Sequence, residues 1–148
     1  IPQTGRPADT RRNKHAFKPM GGREAMDATD IEKINKIISD RREANRFFLE
    51  NSAVYRAFVK LEQTTFSDGA LPRRHKELIA IGISIVINCE SCLEWHIREA
   101  LRAGASEQEV LEAIEVGIEM GGGPATVSAR FALKVLRHYT SGDAQLQP

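Results

Sequence analysis

Apolar residues recur at helical spacing along most of the chain, and no segment alternates as a strand would. Isoleucines from Ile31 to Ile38 predict a first amphipathic helix that begins near Asp30. After a break at Asn51, Ser52 can cap a second helix. The buried stripe of that second helix is predicted to consist of Val54, Phe58 and Leu61.

The middle of the chain predicts two helices that fold back on each other. The first runs from Leu71 to Ile87 with Pro72 in its first turn, and its nearly continuous apolar sequence predicts burial on all sides. Asn88 suits a tight turn, and Cys89 then begins a helix that ends near Ala103. The segment from Leu71 to Ala103 is therefore predicted to be the central antiparallel hairpin.

The last third of the chain predicts two more helical segments. Ser106 and Glu109 have the spacing of a capping box, and the glycine run at 121–123 followed by Pro124 predicts a stop and a new start. We therefore expect an all-α fold with one helical domain over residues 27–140. Residues 1–26, rich in proline and basic residues, are predicted to be an extended or disordered arm, and residues 141–148 a C-terminal tail.

Composition and net charge limit the class of protein, but they do not identify a binding partner. The 148 residues are enough for one domain, and a net charge of +1 gives no reason to expect nucleic acid. The longest apolar run, from Leu78 to Ile87, is far shorter than the roughly 20 residues that cross a bilayer. We therefore expect neither nucleic acid nor a membrane as a partner.

Both cysteines of the chain lie in one short stretch. Cys89 and Cys92 are too few for a disulfide framework and too close together to join distant elements. The pair is typical of redox or metal-binding chemistry in a reducing compartment, so we expect a cytoplasmic protein.

A histidine shares the helix face of the two cysteines. At about 100° per residue, Cys89, Cys92 and His96 lie within roughly 60° of one another. An imidazole beside a thiol can take its proton, and a helix N-terminus favours the thiolate, which is the reactive form. Both cysteines are therefore candidates for activation.

Glu77 is the carboxylate that the hairpin brings level with the histidine. Counted back from the turn, Glu77 and His96 lie at similar depths, and a buried carboxylate needs a partner. The proposed relay runs from Glu77 through His96 to Cys92, with Cys89 resolving. The alternative is an ordinary salt bridge from Glu77 to Arg73 or Arg74.

These residues resemble a known family. Glu77, a CxxC pair beginning twelve positions later and a histidine four beyond the second cysteine are similar to the AhpD-like alkylhydroperoxidases of the carboxymuconolactone decarboxylase superfamily. The resemblance covers about Phe58 to Tyr139, including the sequence of residues 76–80 and the glycine run. One departure concerns Ser91, which occupies the position of a second histidine in the family.

The resemblance implies a thiol-dependent peroxidase or disulfide oxidoreductase with an AhpD-like fold. By that analogy Cys92 attacks a hydroperoxide, Cys89 closes a disulfide, and a thioredoxin-like or lipoyl-bearing protein reduces it, with no bound cofactor. Family members are commonly homo-oligomers, as trimers or hexamers, and we expect the same here.

Four alternatives stay open at this point. The two cysteines could be inert buried thiols, or they could bind zinc together with His96 and either Glu77 or His75. The superfamily also contains cofactor-free decarboxylases that act on a muconolactone, and a non-catalytic scaffold is the fourth alternative.

No role is expected for the three remaining histidines or for Trp95, which is predicted to make a core or subunit contact. Those histidines are His15, His75 and His138.

Overall fold

The computed structural model describes residues 26–141, and every regular element in that range is an α-helix. The predicted all-α fold is therefore confirmed. The five helices are α1 (Ala28–Asn51), α2 (Ala53–Thr65), α3 (Arg73–Val86), α4 (Glu90–Arg102) and α5 (Glu107–Thr140). The predicted arm and tail lie outside the described residues, apart from their inner ends. No helix of the described part is long and apolar enough to cross a membrane.

Side-chain caps explain where the helices begin. The Asp27 carboxylate accepts a hydrogen bond from the Thr29 backbone N–H at 2.8 Å, and the Ser52 hydroxyl accepts one from the Tyr55 N–H at 3.1 Å. The capping box predicted at the start of α5 is also present. Each cap satisfies a backbone donor that has no partner within its helix, which fixes the starts of α1, α2 and α5.

The core lies between α3, α4 and α5, with α1 packed against them. Its fully buried side chains come from all four helices, and they include Ile34, Ile81, Ile85, Leu93, Ile97, Ile114 and Leu136. Ion pairs from Lys33 to Glu90 and from Lys134 to Asp30, both 2.7 Å long, link α1 to α4 and α5. This arrangement holds the α3–α4 hairpin at the centre of the molecule.

Two glycines of α5 have identifiable structural reasons. A Cβ atom at Gly117 would lie 2.7 Å from the Ile85 Cβ, so only glycine allows α3 and α5 to approach so closely here. Gly122 has φ 65° and ψ −154°, which kinks α5 two residues before Pro124. The predicted break at the glycine run is therefore present, although both segments belong to one kinked element.

Two burial predictions are wrong. In α3, Ile79 and Ile83 are 52% and 55% exposed, so one apolar side of this helix faces outward in the single chain. In α2, the predicted buried stripe of Val54, Phe58 and Leu61 is exposed. The reason is that α2 packs along α1 rather than inside the bundle. An apolar stripe indicates which side of a helix avoids water, but it does not identify what covers that side.

Candidate redox site

The turn between α3 and α4 presents both cysteines at a helix N-terminus. Asn88 adopts the left-handed conformation, with φ 55°, and its side-chain oxygen accepts a hydrogen bond from the Ser128 hydroxyl at 2.7 Å. Cys89 is the N-cap of α4, and its sulfur accepts a hydrogen bond from the Cys92 N–H at 3.2 Å. A disulfide joins Cys89 and Cys92, whose Cα atoms are 5.2 Å apart.

The predicted contact between Glu77 and His96 is present. The Nδ1 atom of His96 lies 2.8 Å from Oε2 of Glu77, and the Glu77 residue is only 1% exposed. A carboxylate oxygen accepts, so Nδ1 is the donor in this contact. The contact therefore orients the His96 ring and leaves Nε2 as the nitrogen that can interact with another group.

The alternative salt bridge of Glu77 is present as well. Nε of Arg73 lies 3.3 Å from Oε1 of Glu77, while Nη2 of Arg73 donates to Oε2 of Glu99 at 2.6 Å. The two partners of Glu77 do not exclude each other, because each engages a different carboxylate oxygen. The contacts of Glu77 therefore continue through Arg73 to Glu99, which the sequence did not indicate.

A cavity of about 400 Å³ opens beside the disulfide. Cys92, His96 and Ser91 lie on one wall, whereas Cys89 is not among the described lining residues. The ring of Phe66 stacks on His96, with centroids 5.3 Å apart and planes inclined by 27°. The opposite wall comes from α1 and α2, and it contains Arg41, Asn45, Tyr55, Phe58, Leu61, Glu62 and Thr65. The cavity surface is therefore mainly apolar, and Cys92 is the cysteine that lines it.

Trp95 has a different place from the one predicted. It lines the cavity instead of making only a core or subunit contact. The guanidinium carbons of Arg41 and Arg98 lie 4.9 and 4.5 Å from the centre of its ring, within the range of cation–π attraction. Trp95 lies beside the helix face that holds Cys92 and His96, and the cavity extends far enough to include it.

The aromatic residues that α2 and its C-cap contribute to the cavity were not predicted as site residues. Neither Phe66 nor Tyr55 stands out in the sequence. The available signal was the concentration of aromatic residues in one amphipathic helix. That signal could not show that the helix faces the cysteines, since this depends on how α2 packs along α1.

The two other described histidines, His75 and His138, are not among the residues that line the cavity. His75 is exposed, while His138 is half-buried and packs edge-on against Tyr139, with ring centroids 5.0 Å apart. Burial lowers the pKa of His138 below its ordinary value. His15 lies outside the described residues. Among the residues that are described, no group of three or more His, Cys, Asp or Glu is arranged to hold a metal ion, so the zinc alternative gains no support.

Sequence comparison identifies the family. Residues 52–135 match the profile of the carboxymuconolactone decarboxylase family, which is more than half of the chain. The chain belongs to this family. The matched segment begins with α2 and ends in α5, so it includes both cavity walls apart from the α1 residues.

The similar proteins include two sequences and two solved structures. A Paracoccus denitrificans protein described as uncharacterized protein 4 in the cox locus is 44% identical over 80 residues, which cover 54% of this chain and 72% of the relative. An uncharacterized protein of Cupriavidus necator is 35% identical over 92 residues, which cover 62% of this chain and 79% of that relative.

Both solved structures are carboxymuconolactone decarboxylase family proteins. The one from Legionella pneumophila has a TM-score of 0.68 and 29% identity, with 74% of this chain and 98% of that one covered. The other, from Thermotoga maritima, has a TM-score of 0.67 and 25% identity, with 76% and 99% covered, and a part in the antioxidative response has been suggested for it. The family fold is therefore shared over nearly the whole of these two neighbours.

Proposed function

We propose that this protein is a thiol-dependent peroxidase in which Cys92 reacts with a hydroperoxide. The observation that carries the proposal is that Cys92 and His96 line the same cavity while Glu77 holds His96 from its buried side. A nucleophile, a base and a group that orients the base are the arrangement that activates thiols. The antioxidative role suggested for the Thermotoga maritima neighbour agrees with this chemistry.

The first step consumes the peroxide. With the disulfide reduced, His96 takes the thiol proton of Cys92 on Nε2, and the thiolate attacks the terminal peroxide oxygen. An S–O bond forms as the O–O bond breaks, and the alkoxide that leaves takes the proton from His96. Cys92 is then a sulfenic acid, and the hydroperoxide has become an alcohol.

The second step closes the disulfide. The sulfur of Cys89 attacks the Cys92 sulfur, the S–O bond breaks, and the hydroxyl leaves as water with the proton that Cys89 gives up. The Cα separation of 5.2 Å lies within the range of ordinary disulfides, which supports a bond between these two cysteines as the product. An external dithiol, carried by a thioredoxin-like or lipoyl-bearing protein, then reduces the bond by thiol–disulfide exchange.

Two variants test this assignment. Cys92→Ser is expected to abolish peroxide turnover with a dithiol reductant, since the nucleophile is gone. Cys89→Ser is expected to retain one round of peroxide consumption, leaving a Cys92 sulfenic acid that a sulfenic-acid-specific reagent traps. Circular dichroism checks that both variants retain the helical fold. Unchanged turnover in Cys92→Ser overturns the proposal.

The decarboxylase alternative has no comparable support. Family membership is compatible with it, but the cysteine pair beside His96 is the observation that favours thiol chemistry. We therefore keep the peroxidase as the proposed activity and the cytoplasm as the predicted location. The decarboxylase alternative would gain support if Cys89→Ser, Cys92→Ser double-variant protein still converted a muconolactone.

We also propose that the exposed apolar side of α3 and α5 packs against another copy of the chain. This surface surrounds a groove of about 620 Å³ that includes Ile79, Ile83, Val86, Val116 and Met120. Monomeric proteins seldom expose so continuous an apolar patch. Ile83→Glu is expected to lower the molar mass measured by light scattering, and an unchanged mass contradicts this assembly surface.

A further inference from the structure

Arg73 is a candidate for an additional role because it contacts the buried carboxylate of the site without lining the cavity. Its Nε donates to Glu77 at 3.3 Å, so Glu77 has one donor on each oxygen, Arg73 on Oε1 and His96 on Oε2. A carboxylate that is 1% exposed requires such donors in order to stay ionised.

Glu99 fixes the direction of the Arg73 side chain. Its Oε2 accepts from Arg73 at 2.6 Å, and its Oε1 accepts from Arg98 and Arg102 at 3.1 Å each. The Glu99 side chain is 7% exposed, whereas the Arg73 side chain is 46% exposed. The half-exposed guanidinium is therefore held by a buried anion, which limits the conformations that a surface arginine otherwise samples.

The four groups form one chain of contacts across the hairpin. Arg73 and Glu77 lie one turn apart on α3, and His96 and Glu99 lie one turn apart on α4. Two of the contacts join the helices, and the contact between Arg73 and Glu77 lies within α3. In order along this chain, His96 contacts Glu77, Glu77 contacts Arg73 and Arg73 contacts Glu99. Arg73 and His96 therefore share one carboxylate, that of Glu77.

We propose that Arg73, held by Glu99, is a positioning residue that sets the charge balance of the Glu77–His96 pair. This inference rests on the proposed function, because it concerns His96, the base of the proposed site. The Arg73 cation offsets part of the Glu77 charge that faces His96. His96 can then both accept the Cys92 proton and return it to the leaving alkoxide.

The decisive experiment follows the His96 ring by NMR as a function of pH in the oxidised protein, where no thiol titrates. Arg73→Met is expected to raise the pH midpoint of the His96 signal by about half a unit or more, because the Glu77 charge is no longer offset. Arg73→Lys, which keeps the charge, is expected to restore most of the wild-type midpoint. The His96 signal is assigned by its absence in His96→Gln.

Arg74→Met is the matched control. It removes the same charge from the adjacent residue of α3, but Arg74 pairs with Glu109 at 3.7 Å instead of with Glu77. Its His96 midpoint is expected to equal that of the wild type. An unchanged or lowered midpoint in Arg73→Met, or an equal rise in Arg74→Met, overturns the proposal. If Arg73→Met does not fold, Arg73→Gln answers the same question.

A second readout separates this inference from the proposed function. In the reduced protein, the pH dependence of Cys92 alkylation is expected to move in Arg73→Met and to stay unchanged in Arg74→Met. If the His96 midpoint moves while wild-type protein consumes no hydroperoxide, Arg73 tunes the histidine and the peroxidase assignment is wrong. If hydroperoxide is consumed and the midpoint does not move, the peroxidase assignment stands and the role of Arg73 is refuted.

Discussion

Two buried carboxylates of the hairpin have similar partners and different surroundings. Glu77 of α3 is 1% exposed and pairs with Arg73 and His96, whereas Glu94 of α4 is 0% exposed and pairs with Arg41 and the Tyr139 hydroxyl. Each carboxylate thus has one guanidinium and one ring as partners. Chemistry alone does not distinguish them.

The difference lies in where each ring partner faces. His96 lines the cavity beside Cys92, while Tyr139 is buried in the core of the bundle. Burial and the hydrogen bond to Glu94 raise the pKa of Tyr139 above its ordinary value, so its proton stays on the phenol. Glu77 therefore serves a group that can exchange protons with a substrate, and Glu94 holds α1, α4 and α5 together.

The largest effect is expected at Glu94. Glu94→Gln leaves Arg41, whose side chain is 14% exposed, without its charge partner, and the loss of one partner from a buried pair costs up to about 3–5 kcal/mol. Urea unfolding measures this loss in the free energy of unfolding. A double-mutant cycle with Arg41→Gln should recover part of it, and additive losses would show that the two residues do not interact.

Glu77→Gln is expected to act mainly on reactivity. The amide can no longer stabilise a protonated His96, so peroxide consumption by reduced protein should fall about 10²-fold, the usual contribution of an acid–base group. Stopped-flow measurement of thiol oxidation gives the rate. Glu94→Gln is the control, measured at a temperature where it is folded, and an equal loss of rate there would remove the distinction between the two carboxylates.

Tyr139→Phe tests the structural site more gently. It removes one hydrogen bond to a buried carboxylate and leaves the Arg41 ion pair, so we expect a loss of about 1–3 kcal/mol in the free energy of unfolding. Thermal unfolding at neutral pH measures the change. Peroxide consumption should be unaffected, and a slower reaction would mean that this network also serves the redox site.

The smallest effect concerns His138, which packs on Tyr139. Because burial lowers its pKa below 6.5, the unfolded chain binds the proton more readily, and the stability contribution is lost as the pH falls below that value. His138→Gln should therefore reduce the stability difference between pH 7.5 and pH 5.5 by less than about 1 kcal/mol, since the ring is partly solvated. An unchanged difference contradicts this account.

The Glu77 contact could be predicted from the sequence because it depends on few variables. A tight turn at Asn88 and a constant rise per residue place Glu77 and His96 level with each other. The caps at Ser52 and Ser106 were predictable for the same reason, since each depends only on its neighbours.

The surroundings of the site could not be predicted, because they depend on how separate helices pack. Nothing local to α2 shows that Phe66 stacks on His96, and nothing local to Trp95 shows that it lines a cavity. The ion pair between Arg73 and Glu99 could not be predicted, because several arginines have similar spacing from these carboxylates. Tertiary packing selects one of these possible pairs, and periodicity contains no information about that selection.

The central claim is that Cys92 and Cys89 form a redox pair that hydroperoxide oxidises. The most direct test reduces the protein, adds a small excess of an organic hydroperoxide, alkylates the remaining thiols and measures the intact mass. We expect rapid loss of both alkylatable thiols and one intramolecular disulfide between Cys89 and Cys92. In Cys92→Ser, the single remaining thiol of Cys89 is expected to stay alkylatable. Two thiols that stay fully alkylatable after exposure to hydroperoxide would contradict the account.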